Sequence, residues 1–273
     1  MPTTLLVLLG RSEAAVACLA AAGQLAAAYD QATLAVLHVR LDPAHAILPG
    51  EEVLTAQRRR AIEAEEATRA AALAAAFEDW RRMAGPVAST ARRIEVTGDV
   101  VREIERHGHA ADLVVLGQAP GLRHLPDREA IGAALFDSRR PILLVPAGWR
   151  GELGRRVAVA WKPAAQARRA VAAALPVLRH AAEVFALIGD GEAPADEAQL
   201  EDLLAPHGIV AATHRFDPGS SAMGEALLRE VHRHGADLLV MGAYSHSRIY
   251  ELILGGVTRH MLGHADLPLL MAH

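Results

Sequence analysis

Several things are scarce in this chain of 273 residues. It holds one cysteine, Cys18, so no intramolecular disulfide can form and the fold must rest on its core. Aromatic residues are 4% of the chain, so packing depends on aliphatic side chains. No apolar run approaches the roughly 18 residues of a membrane-spanning helix. Basic residues do not outnumber acidic ones; the formal net charge is −4, and no overall basic field exists to gather a polyanion. TLLVLLG near the start, followed by AAVACLAAAG, lacks the basic flank of a secretory signal. These absences predict a cytoplasmic protein with neither nucleic acid nor membrane as partner.

What is present is a globular composition, 52% hydrophobic and 22% charged, with alanine raising the first figure. The length suits two domains of modest size. The chain also matches itself, and a long-period repeat is a stronger architectural signal than any short motif. LLVLLGRSEAAVA (5–17) parallels VAVAWKPAAQARR (157–169), and ATLAVLHVR (32–40) parallels AEVFALIGD (182–190). ADLVVLG (111–117) parallels ADLLVMG (236–242), and PILLVP (141–146) parallels PLLMAH (268–273). The offset falls from about 150 to about 121–127 residues along the chain, so the first half holds roughly 29 extra residues. They correspond to a stretch of strong helix formers at 51–83, with Ile62, Leu73, Phe77, Trp80 and Met83 near helical spacing, against a shorter helix at about 195–205.

Each half thus alternates short apolar runs with helical stretches, the pattern of βαβ units around a parallel sheet buried on both faces. The glycine-rich stretch PAGWRGELGR (146–155) marks the boundary, giving domains at 1–149 and 150–273. In such sheets ligands bind beyond the carboxyl ends of the strands. The candidate loops of the second half start at Trp161 and Lys162 after the first strand, at Ile188 after the second, at Asp217 after the third and at Gly242 after the fourth. Asp99 in the first half, and Ser220 or Ser221 in the second, are placed to cap the helices that follow the third strands.

The last of these loops, GAYSHSRIYELILGGVT (242–258), admits two readings. Glycines let backbone amides approach phosphate oxygens, and the helix start at Gly255–Gly256 would present its positive end to an anion. Alternatively, Gly255 only ends one helix and Gly256 eases the start of the next.

ADLLVMGAYSHSRIYELILGGVTRHML resembles the C-terminal signature of universal stress proteins, whose nucleotide-binding members carry GxxGx(9)G[ST]. Gly242, Ser245, Gly255 and Gly256 take the four motif positions with the nine-residue interval kept. The resemblance extends over the chain as two tandem domains. It implies two five-stranded Rossmann-like sheets of order 3-2-1-4-5, paired face to face about a pseudo-twofold through their last strands, with a homodimer of chains as a further expectation. It also implies a stress-response role, ATP or another adenine nucleotide as regulatory ligand, and at most slow hydrolysis. Carried onto this sequence, phosphates would meet the amides of Gly242, Ser245, Gly255, Gly256 and Val257, with Ser247 or Thr258 adding a hydroxyl. The loops at Trp161, Lys162 and Ile188 complete the expected site.

The sequence departs from the pattern in three places. Ser245 replaces a glycine, and Gly256 replaces a hydroxyl residue. The acidic residue after the first strand is missing, with Trp161, Lys162 and Pro163 in its place and Gly10 and Arg11 in the first half. In the first half Gly117 is kept but no second glycine pair follows, so that site is expected to be degenerate. The other function classes find less support. His260 and His264 share one helical face without an identifiable third ligand, so no metal site is expected. Cys18 has no histidine partner, and no nucleophile elbow or Walker lysine is present, so no catalytic residue is assigned. The competing reading is a nucleotide-free structural protein acting through its dimer surface.

Overall fold

The computed structural model describes residues 3–43, 55–118, 125–190, 194–243 and 256–273. Ten strands alternate with helices. Those of the first half are β1 (Thr3–Leu8), β2 (Ala32–Leu41), β3 (Ala91–Gly98), β4 (Leu113–Gln118) and β5 (Ile142–Pro146). Those of the second are β6 (Arg156–Ala160), β7 (Glu183–Gly189), β8 (Ala212–Phe216), β9 (Leu238–Gly242) and β10 (Leu269–Ala272). The central strands are apolar along their length because both faces are covered. Leu5 and Val7 enter one hydrophobic layer while Leu6 and Leu8 enter the other.

The helices divide accordingly. On one face lie α1 (Ser12–Ala27), α2 (Ala56–Met83), α6 (Ala165–Leu178) and α7 (Pro194–Leu204). On the other lie α4 (Val100–Gly108), α5 (Leu125–Gly132), α8 (Met223–Arg233) and α9 (Gly256–His264); α3 (Pro86–Ser89) is a single turn. The long helix expected over 51–83 is α2, starting at Ala56 with Thr55 Oγ1 accepting from the Arg58 amide at 3.2 Å. It buries Leu73, Phe77 and Trp80, while Ile62 is half-buried and Met83 is exposed. Asp99 caps α4 as expected, accepting from the Arg102 amide at 2.9 Å. The serine cap of α8 is not formed: Ala222 holds the N-cap position, and the Ser221 hydroxyl instead accepts from Arg229 at 3.0 Å.

All ten strands belong to one sheet, in the order β3-β2-β1-β4-β5-β10-β9-β6-β7-β8. Read outward from the centre, each half has the order 5-4-1-2-3, and all its strand pairs are parallel. The halves meet through their last strands, as expected, but edge to edge in one continuous sheet rather than face to face as two sheets. The joint is antiparallel, with Leu269 opposite Leu144, Leu270 opposite Leu143 and Met271 opposite Ile142. Both joining strands are wholly buried. Left apart, each half would present an apolar strand edge with unpaired amides and carbonyls to water, and pairing removes both penalties together.

Candidate functional site

Strand order reverses between β1 and β4 in the first half and between β6 and β9 in the second, so the crevices lie beyond the carboxyl ends of those pairs. In the second half the chain leaves β6 through Trp161, whose amide donates to the Leu187 carbonyl at 3.0 Å. The Trp161 ring is buried, and its Nε1 donates to the Asp196 carbonyl at 2.6 Å in the first turn of α7. Its polar edge is therefore committed to the protein. Lys162 is exposed, and Ile188 is fully buried within β7.

Gly242 ends β9 beneath the start of α6. A Cβ there would stand 2.7 Å from the Ala167 nitrogen and 3.0 Å from the Gln166 carbonyl carbon. The next amide, that of Ala243, donates to the Ala272 carbonyl at 2.8 Å. The glycine thus lets helix and strand approach closely. Gly117 does the same at the end of β4, where a Cβ would meet Ala14 Cβ at 2.6 Å and Cys18 Sγ at 3.1 Å. The glycine shared by the two repeats has one packing role in both.

Gly256 opens α9, is exposed, and has no described residue within 4 Å of the place its Cβ would take. The dipole at a helix start favours an anion. Val257 is half-buried and Thr258 is buried at 5% exposure. Ser245, Ser247 and Gly255 lie outside the described residues. Of the other predicted residues, only Lys162 and Gly256 are exposed to solvent.

Two positioning residues were not singled out in the sequence. Gly224 of α8 sits against α9, where a Cβ would stand 2.5 Å from His260 Cβ and 3.3 Å from Val257 Cα, so its lack of a side chain sets the seat of α9. Asp237, before β9, accepts the amides of Gly154, Arg155 and Arg156 at 2.7, 3.0 and 2.9 Å and fixes the entry to β6. Burial pushes its carboxyl above the usual range, against the pull of those three amides. Its first-half counterpart Asp112 accepts the Thr4 amide at 2.8 Å. The signal was available, since both aspartates stand in the same place in the quoted repeat.

In the first half the corresponding crevice is a cleft of about 40 Å³ bounded by Leu9, Gly10, Ala14, Cys18, Leu116 and Gly117. That is room for little more than a water molecule. Burial raises the Cys18 thiol to about 12, so the thiolate is not available at neutral pH. The rings of His260 and His264 stack at 4.3 Å, and among the described residues no group of three or more potential metal ligands gathers. No helix among them is long and apolar enough to cross a membrane.

Residues 156–273 match the sequence profile of the Universal stress protein family. None of the curated proteins matches the chain by sequence. Among solved structures, a universal stress protein from Archaeoglobus fulgidus superposes with a TM-score of 0.72 at 18% identity, covering 98% of this chain and 95% of its own. A protein of Pseudomonas aeruginosa assigned to the same family superposes at 0.59 with 14% identity, covering 99% and 92%. The cytoplasmic domain of a prokaryotic cation chloride cotransporter reaches 0.54 at 11% identity, covering 100% and 96%. These likenesses establish a shared fold across the whole chain, and the match to the Universal stress protein family is carried by residues 156–273.

Proposed function

We propose that the protein acts in a stress response by binding ATP or a related adenine nucleotide as a regulatory ligand in its second half. The observation that carries this reading is the uncovered start of α9. Gly256 is exposed with no described residue within 4 Å of its Cβ position, and it follows in sequence from β9 at the switch point of the sheet. The amides of Gly255, Gly256 and Val257 would take phosphate oxygens there, with Ser245, Ser247 and Lys162 as candidate side-chain contacts. Gly242 shapes the floor by admitting α6, and Trp161, Ile188 and Thr258 are walls. Binding rather than turnover is the assigned role.

On this reading the chain divides into domains at 1–149 and 150–273, related by a pseudo-twofold axis. The first serves as scaffold, its crevice closed down by Ala14 and Cys18. The protein is placed in the cytoplasm, with a homodimer of chains as a further element of the proposal. A nucleotide-free protein working through its surface is the second reading. It is favoured by one observation, that Trp161 is packed and hydrogen-bonded into the protein where the family pattern has an acidic residue.

Calorimetric titration with ATP, ADP and AMP separates the two. Heat of binding that disappears in Gly255→Val supports the nucleotide site. No heat and no thermal shift at millimolar nucleotide leaves the second reading, and binding unaltered by Gly255→Val moves the site elsewhere.

A further inference from the structure

A larger cleft, of about 410 Å³, lies between the two halves, on the side of the sheet opposite the carboxyl ends of β1 and β4. It is bounded by the residues entering β1, β4 and β5, by the flank of α6, and by the end of β10. That volume suits a small metabolite. Three arginines, Arg139, Arg140 and Arg169, are among the residues that line it, with Asp112 and the terminal His273. Ala172, Ala173 and Pro176 of α6 supply an apolar wall, and Tyr29 stands near Asp112.

Arg139 and Arg169 are exposed at the mouth of the cleft, and two features set Arg139 and Arg140 apart from ordinary surface arginines. Arg139 has φ +53°, the only left-handed non-glycine among the described residues, a conformation that arginine rarely holds and that concentrates at functional sites. Arg140 Nη2 donates to the His109 carbonyl at 2.6 Å, which holds the guanidinium, while its Nε is buried with no acceptor. Arg139 and Arg169 have neither hydrogen-bond nor ion-pair partners among the described residues. The repeat sharpens the point. Counting back from Pro268, which matches Pro141, the second half has Leu267 and Asp266 where the first has Arg140 and Arg139. The paired arginines therefore belong to this cleft and not to the fold in general.

We propose that the cleft binds a small phosphate monoester, its dianion held by Arg139, Arg140 and Arg169. Guanidinium forks match a tetrahedral oxyanion, and three of them favour a dianion over a monocarboxylate. The Tyr29 hydroxyl and the Asp112 carboxylate provide a donor and an acceptor for hydroxyls on the remainder of the molecule.

The test is calorimetry on the full chain with ribose 5-phosphate, inorganic phosphate and ribose as probes. Ribose 5-phosphate is expected to bind, phosphate to bind more weakly, and ribose to give no heat. Arg169→Ala should weaken binding roughly five- to tenfold. Arg139→Gly should weaken it similarly while leaving the fold at least as stable, because glycine accepts the left-handed backbone. Gly255→Val, which targets the nucleotide loop, should leave ribose 5-phosphate binding unchanged. No binding at millimolar ribose 5-phosphate overturns the proposal. So does binding that ignores both arginine variants, or binding that Gly255→Val removes.

Discussion

Gly242→Ala should destabilise the protein even though the change adds a single methyl group at the edge of a solvent-facing crevice. The new Cβ would lie 2.7 Å from the Ala167 nitrogen and 3.0 Å from the Gln166 carbonyl carbon, both main-chain atoms at the start of α6. Neither can swing aside as a flexible side chain could, so α6 must move from β9 by a few tenths of an ångström. Overpacking of this kind costs about 1–3 kcal/mol. The loss of backbone freedom in the unfolded chain offsets roughly 0.4–1 kcal/mol of that. The balance is a loss of about 1–2 kcal/mol, or a fall in melting temperature of roughly 2–8 °C for a chain of this size. Thermal unfolding followed by far-ultraviolet circular dichroism measures it, with Gly256→Ala as the internal control. Gly256 has no described residue within 4 Å of its added Cβ, so that variant should melt with the parent or slightly above it. If Gly242→Ala melts with the parent, or the two variants fall together, the packing role assigned to Gly242 is wrong.

Other expectations follow from buried titratable groups. Cys18, with its thiol at about 12 and 1% exposure, should resist Ellman's reagent in the native protein and react stoichiometrically once unfolded; fast native labelling would contradict this. His38 is buried with neither ring nitrogen bonded among the described residues, so His38→Leu should raise stability by about 1 kcal/mol in urea titration, and a loss would reveal an unrecognised partner. His38, His107, His234 and His260 all have pKa values lowered, chiefly by burial. Between those lowered values and the ordinary 6.5, the unfolded chain binds more protons than the native one. Their contribution is therefore complete above pH 6.5 and lost as pH falls below it. The melting temperature should drop between pH 7 and about pH 5.5, and His38→Leu should shrink the drop; a flat profile in the parent would refute the assignment.

The sequence carried the architecture further than the site. The repeat placed the strands, and the resemblance supplied their order, because a buried parallel strand leaves an apolar run that position and spacing reveal. Pairing through the last strands was expected, but not that Ile142–Pro146 and Leu269–Ala272 close edge to edge into one sheet, since an apolar edge strand looks alike whether it pairs or is covered. Ser221 was misread because a serine before a helix resembles a cap whichever way its hydroxyl turns. Gly242 illustrates the harder case. Spacing marked it as special, but a glycine kept for a ligand and one kept for a neighbouring helix have the same signature, and only the Ala167 distance tells them apart. The cleft arginines were invisible for another reason, as Arg139, Arg140 and Arg169 meet only when two repeats are set edge to edge.

The antiparallel joint of β5 and β10 has a consequence for assembly. A free half would have to find its counterpart by diffusion, and its pairing would then depend on how much protein the cell contains. Here the partner is tethered through a short link at effective concentrations that dilution cannot lower. The remaining open margins of the sheet are β3 and β8, whose Arg92, Arg93 and Glu95, and His214 and Arg215, discourage strand addition by a third party. The protein is thus its own obligate partner, with one-to-one stoichiometry written into the chain.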